Sequence, residues 1–444
     1  MSESSGHVVI APDKFKGSLT GAEVAARVAA GLGPDVVTVA LPVADGGDGT
    51  VDAVVACGFT RVEVEVTGPT GQPVRAAYAW REPAAEHARR PAAGEDAAAV
   101  PAGPGSSPSP AGLGSSPSPA DLGSSTPPAG LGSSPSPAAA EVPTAVIELA
   151  EASGLRRLPG DPQALTATSY GAGELIAHAV RRGARRIVLG LGGSACTDGG
   201  AGMMQALGVR FLDAGGQELP RGGAALRALE KIDKSGLIAI DDVEFVVAGD
   251  VDNPLLGPYG AAAVYGPQKG AGPEEVKVLE GALARLAAVA AHTHGLAGAI
   301  EHDGIVRPMG VAAQPGAGAA GGVGFAALAF LSAEVRPGIE YLLDLLGFHD
   351  LLDGARLVIT GEGSLDGQTL RGKAPAGVAA AAAKAGVPVV AVCGRRALGD
   401  EELNAAGITA AYALTDIEPD PAVCMSEAGP LLERLAREVA RGHL

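Results

Sequence analysis

Residues 185–202 read RRIVLGLGGSACTDGGAG, a short apolar run that ends in glycines and is followed by small residues. Six further apolar runs also end in or next to Gly, Asp or Pro, and Ala-rich helical patterns follow them; they lie at residues 8–13, 37–43, 245–251, 355–363, 387–394 and 410–416. Short strands that alternate with helices are typical of an α/β fold with parallel sheets. Because ligands in such folds bind at the carboxyl ends of the strands, we expect the chemistry in the loops after these runs.

The composition narrows the class of protein. The chain has 444 residues, which predicts two or three domains, and its single Trp, six Tyr and seven Phe leave Ala, Val, Leu and Ile to fill the core. A net charge of −17 disfavours nucleic acid and anionic membrane surfaces as partners. The N-terminus has no signal-peptide pattern, no apolar stretch is long enough to span a membrane, and the four cysteines form no CxxC pair. We therefore expect a soluble, cytoplasmic protein with reduced thiols.

The segment 82–142 differs in composition from the rest of the chain. It contains no Lys and no aromatic residue, and a nine-residue repeat that begins at Gly105 occurs four times. Each repeat has one Leu or none, so it cannot bury enough apolar surface to offset the entropy lost on ordering. We predict a disordered insert rich in Pro, Ser, Ala and Gly, placed between strands at residues 74–80 and 144–150 and dispensable for activity.

Two polar clusters follow the first two strands. The first, APDKFKGS, holds Lys16 and Ser18 just before a helix, where backbone N–H groups and the helix dipole favour anion binding. The second, PVADGGDGT, places Asp45 and Asp48 on a glycine-rich turn, where carboxylates can approach Mg²⁺ or a substrate hydroxyl. Taken alone, each pattern is about equally typical of an ordinary solvated loop.

The glycine-rich loop after residue 189 has a competing interpretation. Gly190, Gly192 and Ala195 fit the pattern G-x-G-x-x-A, and Asp213 lies about where a ribose-binding acid is expected. This spacing favours a dinucleotide-binding site and hence an oxidoreductase.

The loop GEGSLDGQTLRGKAP combines acids and bases. It contains the pattern G-x-x-x-x-G-K, but Ala374 stands where a P-loop requires Ser or Thr, so a Walker A site is not expected. Glu362 and Asp366 could bind a metal ion, and Arg371 and Lys373 could bind phosphate. Phosphoryl transfer requires this combination of groups.

Eight segments taken together resemble the type I glycerate kinases of bacteria. In chain order they read IAPDKFKGSLT, LPVADGGDGT, TGPTG, AVIELAEASGL, LGGSACTDGGAG, GDVDNPLLG, PGAGAAGG and TGEGSLDGQTLRGKAP, and they extend over nearly the whole chain outside the insert. Two departures accompany the resemblance. Cys196-Thr197 replaces the Thr-Asn or Ser-Thr that the family more often has before the aspartate, and the insert is foreign to the family.

The resemblance implies an ATP- and Mg²⁺-dependent kinase that transfers the γ-phosphate to a hydroxyl of D-glycerate, giving 2-phosphoglycerate in much of the family. It also implies two α/β domains with the active-site cleft between them. One is a flavodoxin-like parallel-sheet domain, residues 1–60 and 314–444, and it is split by a second α/β domain, residues 61–313, which contains the insert. The expected partners are the two small-molecule substrates, without nucleic acid or membrane, and the expected state is a monomer or homodimer.

Three alternatives stay open at this point. The same kinase could form 3-phosphoglycerate, since 2- and 3-transfer differ by a small shift of the substrate. A dinucleotide-dependent oxidoreductase belongs to a different class of enzyme. A non-enzymatic alternative makes the proline-rich insert a partner-binding segment.

We assign roles to individual residues as hypotheses, because phosphoryl transfer needs several cations and an acid at one point. Asp198 is the first choice for the base that accepts the hydroxyl proton, and Asp45 and Asp366 are competitors. The expected catalytic cations are Lys16, Arg371 and Lys373, and the expected metal ligands are Glu362, Asp250 and Asp48. The residues expected to bind substrate or phosphate are Ser18, Asp45, Gly46, Gly47, Gly192, Gly193, Ser194, Asn253, Asp366 and Thr369.

Overall fold

The computed structural model describes residues 6–83, 142–294, 299–302, 305–308 and 310–444. One compact unit comprises Met1–Glu82 and Val142–Leu444, and the other, Pro83–Glu141, lies outside the described residues except for Pro83. The predicted disordered insert, residues 82–142, falls almost wholly there. Its disorder and its dispensability therefore stay predictions.

The elements of the described residues alternate as the sequence predicts. The strands are β1 His7–Pro12, β2 Thr38–Ala40, β3 Thr60–Thr67, β4 Pro73–Arg81, β5 Thr144–Glu148, β6 Arg186–Gly190, β7 Arg210–Leu212, β8 Lys231–Asp233, β9 Glu244–Ala248, β10 Ala299–His302, β11 Ile305–Pro308, β12 Glu334–Arg336, β13 Ala355–Leu365, β14 Val389–Arg396 and β15 Ala410–Ala413. The helices are α1 Gly21–Leu32, α2 Thr50–Ala56, α3 Leu149–Ser153, α4 Tyr170–Arg181, α5 Ala201–Ala206, α6 Ala261–Tyr265, α7 Pro273–His294, α8 Ala319–Phe330, α9 Gly338–Leu345, α10 Phe348–Leu351, α11 Ala374–Lys384, α12 Asp400–Ala405, α13 Leu414–Ile417, α14 Pro421–Ser426 and α15 Ala428–His443.

The first sheet joins the two ends of the chain. Within the described residues its strands lie in the order β2-β1-β13-β14-β15, and every neighbouring pair is parallel. When these five strands are numbered 1 to 5 in chain order, their order in the sheet is 2-1-3-4-5, as in flavodoxin-like folds. Ligands of such folds bind where the strand order reverses. The expected flavodoxin-like sheet, split by an inserted α/β part, is confirmed.

The second sheet is mixed. Its described strands lie in the order β3-β4-β5-β6-β9-β12; β4 is antiparallel to both of its neighbours, β3 and β5, and the remaining neighbouring pairs are parallel. Arg81 at the end of β4 pairs with Thr144 at the start of β5, so the two strands predicted to flank the insert are neighbours.

The edge strand β12 lies beyond residue 313, the end of the inserted part that the sequence predicts. It pairs with β9, so the chain leaves the second sheet only after Arg336. A strand of three residues with no fully buried side chain gives almost no sequence signal, which accounts for the difference.

Apolar helix faces cover both sides of the first sheet. Val24 of α1 and Leu432 of α15 pack with Ile10 on one side, and Val378 of α11 packs with Val9 on the other. Thr20 begins α1 with a capping box, because its Oγ1 accepts a hydrogen bond from Glu23 N (3.2 Å) while the Glu23 carboxylate accepts one from Thr20 N (2.8 Å).

Two helices link the sheets. Val51 and Val54 of α2 and Leu342 of α9 pack against Val146 and Val188 of the second sheet. An adjacent face of α9 contributes Ile339 and Leu343 to the core of the first sheet. The turn before α2 is therefore held between the carboxyl ends of strands from both sheets.

No helix in the described parts of the chain is long and apolar enough to cross a membrane. The cytoplasmic location and the monomeric or dimeric state stay predictions.

Candidate active site

Two adjoining cavities open at the carboxyl ends of the strands. The larger, of about 530 Å³, is lined by the loop that follows β1, by the carboxyl ends of β13 and β14 and by residues that follow β15. The smaller, of about 280 Å³, is lined by the loops that follow β6 and β9. The residues that line both are Asp45, Gly47, Gly192, Gly193 and Lys373. The cavities therefore meet where the turn after β2 approaches the turn after β6.

Glycines let the turn of residues 45–49 lie against the second sheet. Gly46 has a φ of +88°, and a Cβ on it would overlap the carbonyl oxygen of Ala248 at the end of β9. A Cβ on Gly192 would lie 2.6 Å from the Cα of Gly47. A side chain at either position would push these loops apart, so the glycines predicted to bind substrate have a clear steric role at the boundary of the two cavities.

Asp45 is the carboxylate that lies at this boundary. It is half-buried, lines both cavities, and accepts a hydrogen bond at Oδ1 from the backbone N–H of Gly47 (3.0 Å). Its carboxylate therefore faces space that a substrate can occupy.

Asp198, the first choice for the base, lies away from both cavities. Its side chain is fully buried and lines neither of them. Oδ2 accepts hydrogen bonds from the backbone N–H groups of Ser169 (2.8 Å) and Gly202 (3.3 Å) and from the hydroxyls of Ser169 (2.9 Å) and Thr168 (3.3 Å), and Oδ1 accepts one from Gly200 N (3.1 Å). With five donors around it, this carboxylate anchors the loop before α5, and its placement argues against the role of base.

The expected cations are placed unequally. Lys373 lines both cavities, with Nζ 3.4 Å from Oε2 of Glu362, and the exposed Lys16 lines the larger cavity. Ser18 lines the larger cavity too, and its hydroxyl donates to the carbonyl of Phe15 (3.2 Å). The backbone of Arg371 ends a 3₁₀ turn, but its side chain is outside the described part of the structure.

Two further basic residues lie at the larger cavity: Lys14, which belongs to the predicted anion-binding cluster APDKFKGS, and Arg395, which received no role from the sequence. Lys14 lines it and donates from Nζ to the carbonyl of Asp48. Arg395 also lines it, because β13 and β14 extend past their neighbours and pair Ser364 with Arg395, whose Nε donates to the Ser364 hydroxyl (3.0 Å). The signal that could have found Arg395 is its position directly after a predicted strand.

The three expected metal ligands do not converge. Asp48 pairs with Arg156, and the Glu362 carboxylate accepts hydrogen bonds from Thr369 and Lys373. Asp250 lines the smaller cavity instead, where burial raises its pKa to about 6 and Oδ1 accepts a bond from the backbone N of residue 338 (3.1 Å). Among the described residues no group of three or more His, Cys, Asp or Glu side chains is arranged to hold a metal ion. The structure thus does not support this trio as a metal site.

Of the remaining residues expected to bind substrate, some line a cavity and others do not. Ser194 lines the smaller cavity. Asn253 lines neither cavity. Its Nδ2 donates a hydrogen bond to the carbonyl of Tyr259 (2.8 Å), and its Oδ1 accepts one from the Tyr265 hydroxyl (2.6 Å). The side chain thereby supports Tyr265 in the wall of the smaller cavity.

Two expected residues of the loop after β13 also stay outside both cavities. Asp366 caps an exposed turn, where the hydrogen bond from Gln368 N (2.9 Å) lowers its pKa. Thr369 is fully buried and donates from its hydroxyl to Glu362. Its role is to orient that carboxylate, and contact with a substrate is not indicated.

Asp13 is a further carboxylate at the larger cavity that the sequence analysis left without a role. Burial, with the negative charges of Asp45 and Glu362 adding to it, raises the pKa of Asp13 to about 6, although Lys14 acts in the opposite direction. Its Oδ1 accepts a hydrogen bond from Lys14 N (2.6 Å). Three acids therefore lie near one another at the wall of this cavity.

The geometry does not support the dinucleotide interpretation. After Gly190 the chain runs through an irregular loop, and the next helix begins only at Ala201, whereas the dinucleotide fingerprint opens directly into a helix. Asp213 caps its own exposed turn through hydrogen bonds from Gly215 N (2.8 Å) and Gln217 N (2.9 Å).

Comparison with known proteins identifies the family of this chain. The family model described as "Glycerate kinase family" matches residues 8–100 and 132–444. The chain belongs to the glycerate kinase family. It is therefore a kinase, and this membership excludes the oxidoreductase alternative.

Members of this family are similar over most of their length. A glycerate kinase of Halalkalibacterium halodurans is 37% identical over 439 residues, 98% of this chain and 97% of the relative. A glycerate 2-kinase of Escherichia coli is 38% identical over 394 residues, 87% of this chain and 84% of the relative. A crystal structure of a provisionally assigned glycerate kinase 2 from Salmonella typhimurium LT2 superposes with a TM-score of 0.73 at 36% identity and covers 99% of this chain and 98% of that one.

Proposed function

We propose that this kinase transfers the γ-phosphate of ATP to the C2 hydroxyl of D-glycerate and forms 2-phospho-D-glycerate. The observation that carries the proposal is the junction of the two cavities, where a carboxylate, Asp45, and a cation, Lys373, face both spaces. A kinase must bring a nucleotide and an acceptor together at one such point. The 38% identity to a relative named glycerate 2-kinase supports transfer to the 2-position.

ATP occupies the larger cavity in this proposal. Its volume of about 530 Å³ is nearly twice that of the other cavity. Leu414, Pro421 and Met425 form an apolar wall that suits the adenine ring of the nucleotide. Lys16 and Arg395 supply positive charge for the phosphates.

D-glycerate occupies the smaller cavity. Its volume of about 280 Å³ suits a small hydroxy acid. Ser194 and Gln268 in its wall offer hydrogen bonds to hydroxyl or carboxylate groups. Bound there, the acceptor hydroxyl lies next to the junction with the larger cavity.

Asp45 is the base in this arrangement. The hydroxyl oxygen attacks the γ-phosphorus, the bond from that phosphorus to the β-phosphate oxygen breaks, and Asp45 takes the hydroxyl proton. Lys373 neutralises charge on the transferring group. Positioning and charge neutralisation account for most of the rate enhancement in this class of reaction.

Mg²⁺ fits the residues at the larger cavity. Asp13 offers a carboxylate in an environment made negative by Asp45 and Glu362, and a divalent cation would offset that repulsion. Proteins commonly hold Mg²⁺ through one or two carboxylates, substrate phosphates and water, so a cluster of three acids is not required. When bound, the ion supplies charge neutralisation on the phosphates.

The test is ADP release by the purified protein with Mg-ATP, with and without D-glycerate, followed by phosphorus NMR of the product. We expect glycerate-dependent ADP and a 2-phosphate signal, and we expect EDTA to abolish turnover and added Mg²⁺ to restore it. A 3-phosphate signal would overturn the regiochemistry and keep the class of enzyme. ADP release independent of glycerate would overturn the proposed acceptor.

A further inference from the structure

A buried acid follows the strand next to the active-site loops. Glu148 ends β5 and is 1% exposed. Its Oε2 accepts hydrogen bonds from the backbone N–H groups of Gly49 (3.0 Å) and Val51 (3.4 Å). The carboxylate therefore holds the far end of the turn that carries Asp45.

An arginine joins this acid to the same turn by a second route. Arg156 donates from Nη2 to Oε1 of Glu148 (3.1 Å) and to Glu151, and from Nη1 to the side chain of Asp48. Glu148 and Arg156 together are called the acid–arginine clamp below. The planar guanidinium can reach the three carboxylates at once, which a lysine ammonium on a flexible stem cannot do as well.

The turn of residues 45–49 is thus held from two sides. The acid–arginine clamp holds Asp48, Gly49 and Val51, and close backbone packing holds Gly46 against the end of β9. Asp45 itself accepts a hydrogen bond only from Gly47 among the contacts described above, so its position depends on the turn around it.

We propose that Glu148 and Arg156 are positioning residues that hold the turn of residues 45–49 so that the Asp45 carboxylate faces the acceptor hydroxyl. This inference rests on the proposed function, in which Asp45 is the base. Neither clamp residue lines the larger or the smaller cavity. Their effect should therefore appear in kcat and leave substrate affinity nearly unchanged, since a displacement of the base of about 1 Å can lower the rate about 100-fold.

The first test compares Arg156→Met with the matched control Arg157→Met. Both arginines pair with Glu151, but only Arg156 reaches Glu148 and Asp48. We expect Arg156→Met to lower kcat between about 10-fold and about 100-fold with the KM values for ATP and glycerate within about two-fold. Arg157→Met should keep kcat near wild type. We expect Arg156→Lys, which keeps the charge, to recover part of the lost rate.

The second test shows whether the clamp acts through Asp45. In the Asp45→Asn background, Arg156→Met should lower kcat by no more than about two-fold further, because the group that it positions is already removed. Glu148→Gln, assayed in both backgrounds, should repeat the pattern. Far-UV circular dichroism and thermal unfolding of each variant verify that the compared proteins are folded.

Three outcomes would overturn the inference. They are equal losses from Arg156→Met and Arg157→Met, an increase in KM without a change in kcat, and losses of the same factor with and without Asp45. Wild-type protein without glycerate-dependent ADP release would instead contradict the proposed function, so the two failures are distinguishable.

Discussion

The chain contains two Asp-Gly-Gly turns, at residues 45–47 and 198–200, and they differ in environment although the tripeptide is the same. Each lies shortly before a helix whose preceding glycine, Gly49 or Gly200, is left-handed. Asp45 accepts one hydrogen bond within its turn and faces two cavities. Asp198 is fully buried among five donors.

The difference comes from segments far away in the sequence. Thr168 and Ser169 bring two hydroxyls and a backbone N–H to Asp198, whereas Asp45 lines the two cavities. A carboxylate whose lone pairs are occupied by donors serves to hold structure. One that faces a cavity with free lone pairs can accept a proton, so the surroundings decide between the two roles.

The largest effect that we expect is on turnover, from Asp45→Asn. Removal of a general base typically costs between about 100-fold and about 10,000-fold in rate, so we expect kcat to fall about 1,000-fold with thermal stability nearly unchanged. Steady-state kinetics with D-glycerate measure it. A variant with near wild-type kcat would return the role of base to another carboxylate. It would also show that facing a cavity does not make Asp45 the base.

Asp198→Asn should instead affect stability. The amide would present its NH₂ group to donors that now bond to a carboxylate oxygen, and we expect the free energy of unfolding to fall by about 3 kcal/mol. Urea unfolding measures the loss, and kcat per folded molecule should stay within about five-fold of wild type. A large fall in kcat at unchanged stability would contradict this assignment.

Glu148, a buried carboxylate outside the two turns, should make the stability of the protein depend on pH. Burial raises the pKa of Glu148 from 4.5 to about 7, with Arg156 acting in the opposite direction. Between these values the folded protein keeps a proton that the unfolded chain releases, so the contribution of Glu148 to stability is present at low pH and is lost as the pH rises through about 7.

Glu148→Gln removes this titration. The stability of wild type relative to the variant should therefore fall by about 2 kcal/mol between about pH 5 and about pH 7. Urea unfolding of both proteins across this range measures the difference. A difference that rises with pH would show that the ionised carboxylate is the better accommodated form.

The smallest effect tests which substrate lies on which side of Asp45. Met425 lines the larger cavity and is 54% exposed, so Met425→Glu should fold. Loss of an apolar contact and repulsion of the phosphates should raise the KM for ATP about ten-fold and leave the KM for glycerate unchanged. Met425→Leu is the control and should keep both values. An increase in the KM for glycerate alone would indicate that glycerate binds in the larger cavity and ATP in the smaller one.

Much of the fold could be predicted because it depends on local patterns. Apolar runs ending in glycine, such as residues 185–190, specify buried strands and the loops that follow them whatever their neighbours are. β12 was missed because three partly exposed residues carry almost no pattern. The expectation that the two ends of the chain share one flavodoxin-like domain came from the resemblance to a family, since pairing between residues as distant as Val8 and Leu357 leaves no local signal.

The chain by itself determined the class of fold, the family and the set of loops in which the chemistry lies, because these follow from residue types at fixed short spacings. Which aspartate of the two identical tripeptides faces the cavities depends on the tertiary structure. So do the pairing of Asp48 with Arg156 and the hydrogen bond from Gly49 to Glu148. The physical reason is that burial and hydrogen-bond satisfaction depend on distant partners, 99 residues apart for Gly49 and Glu148 and 108 residues apart for Asp48 and Arg156, which no local pattern specifies.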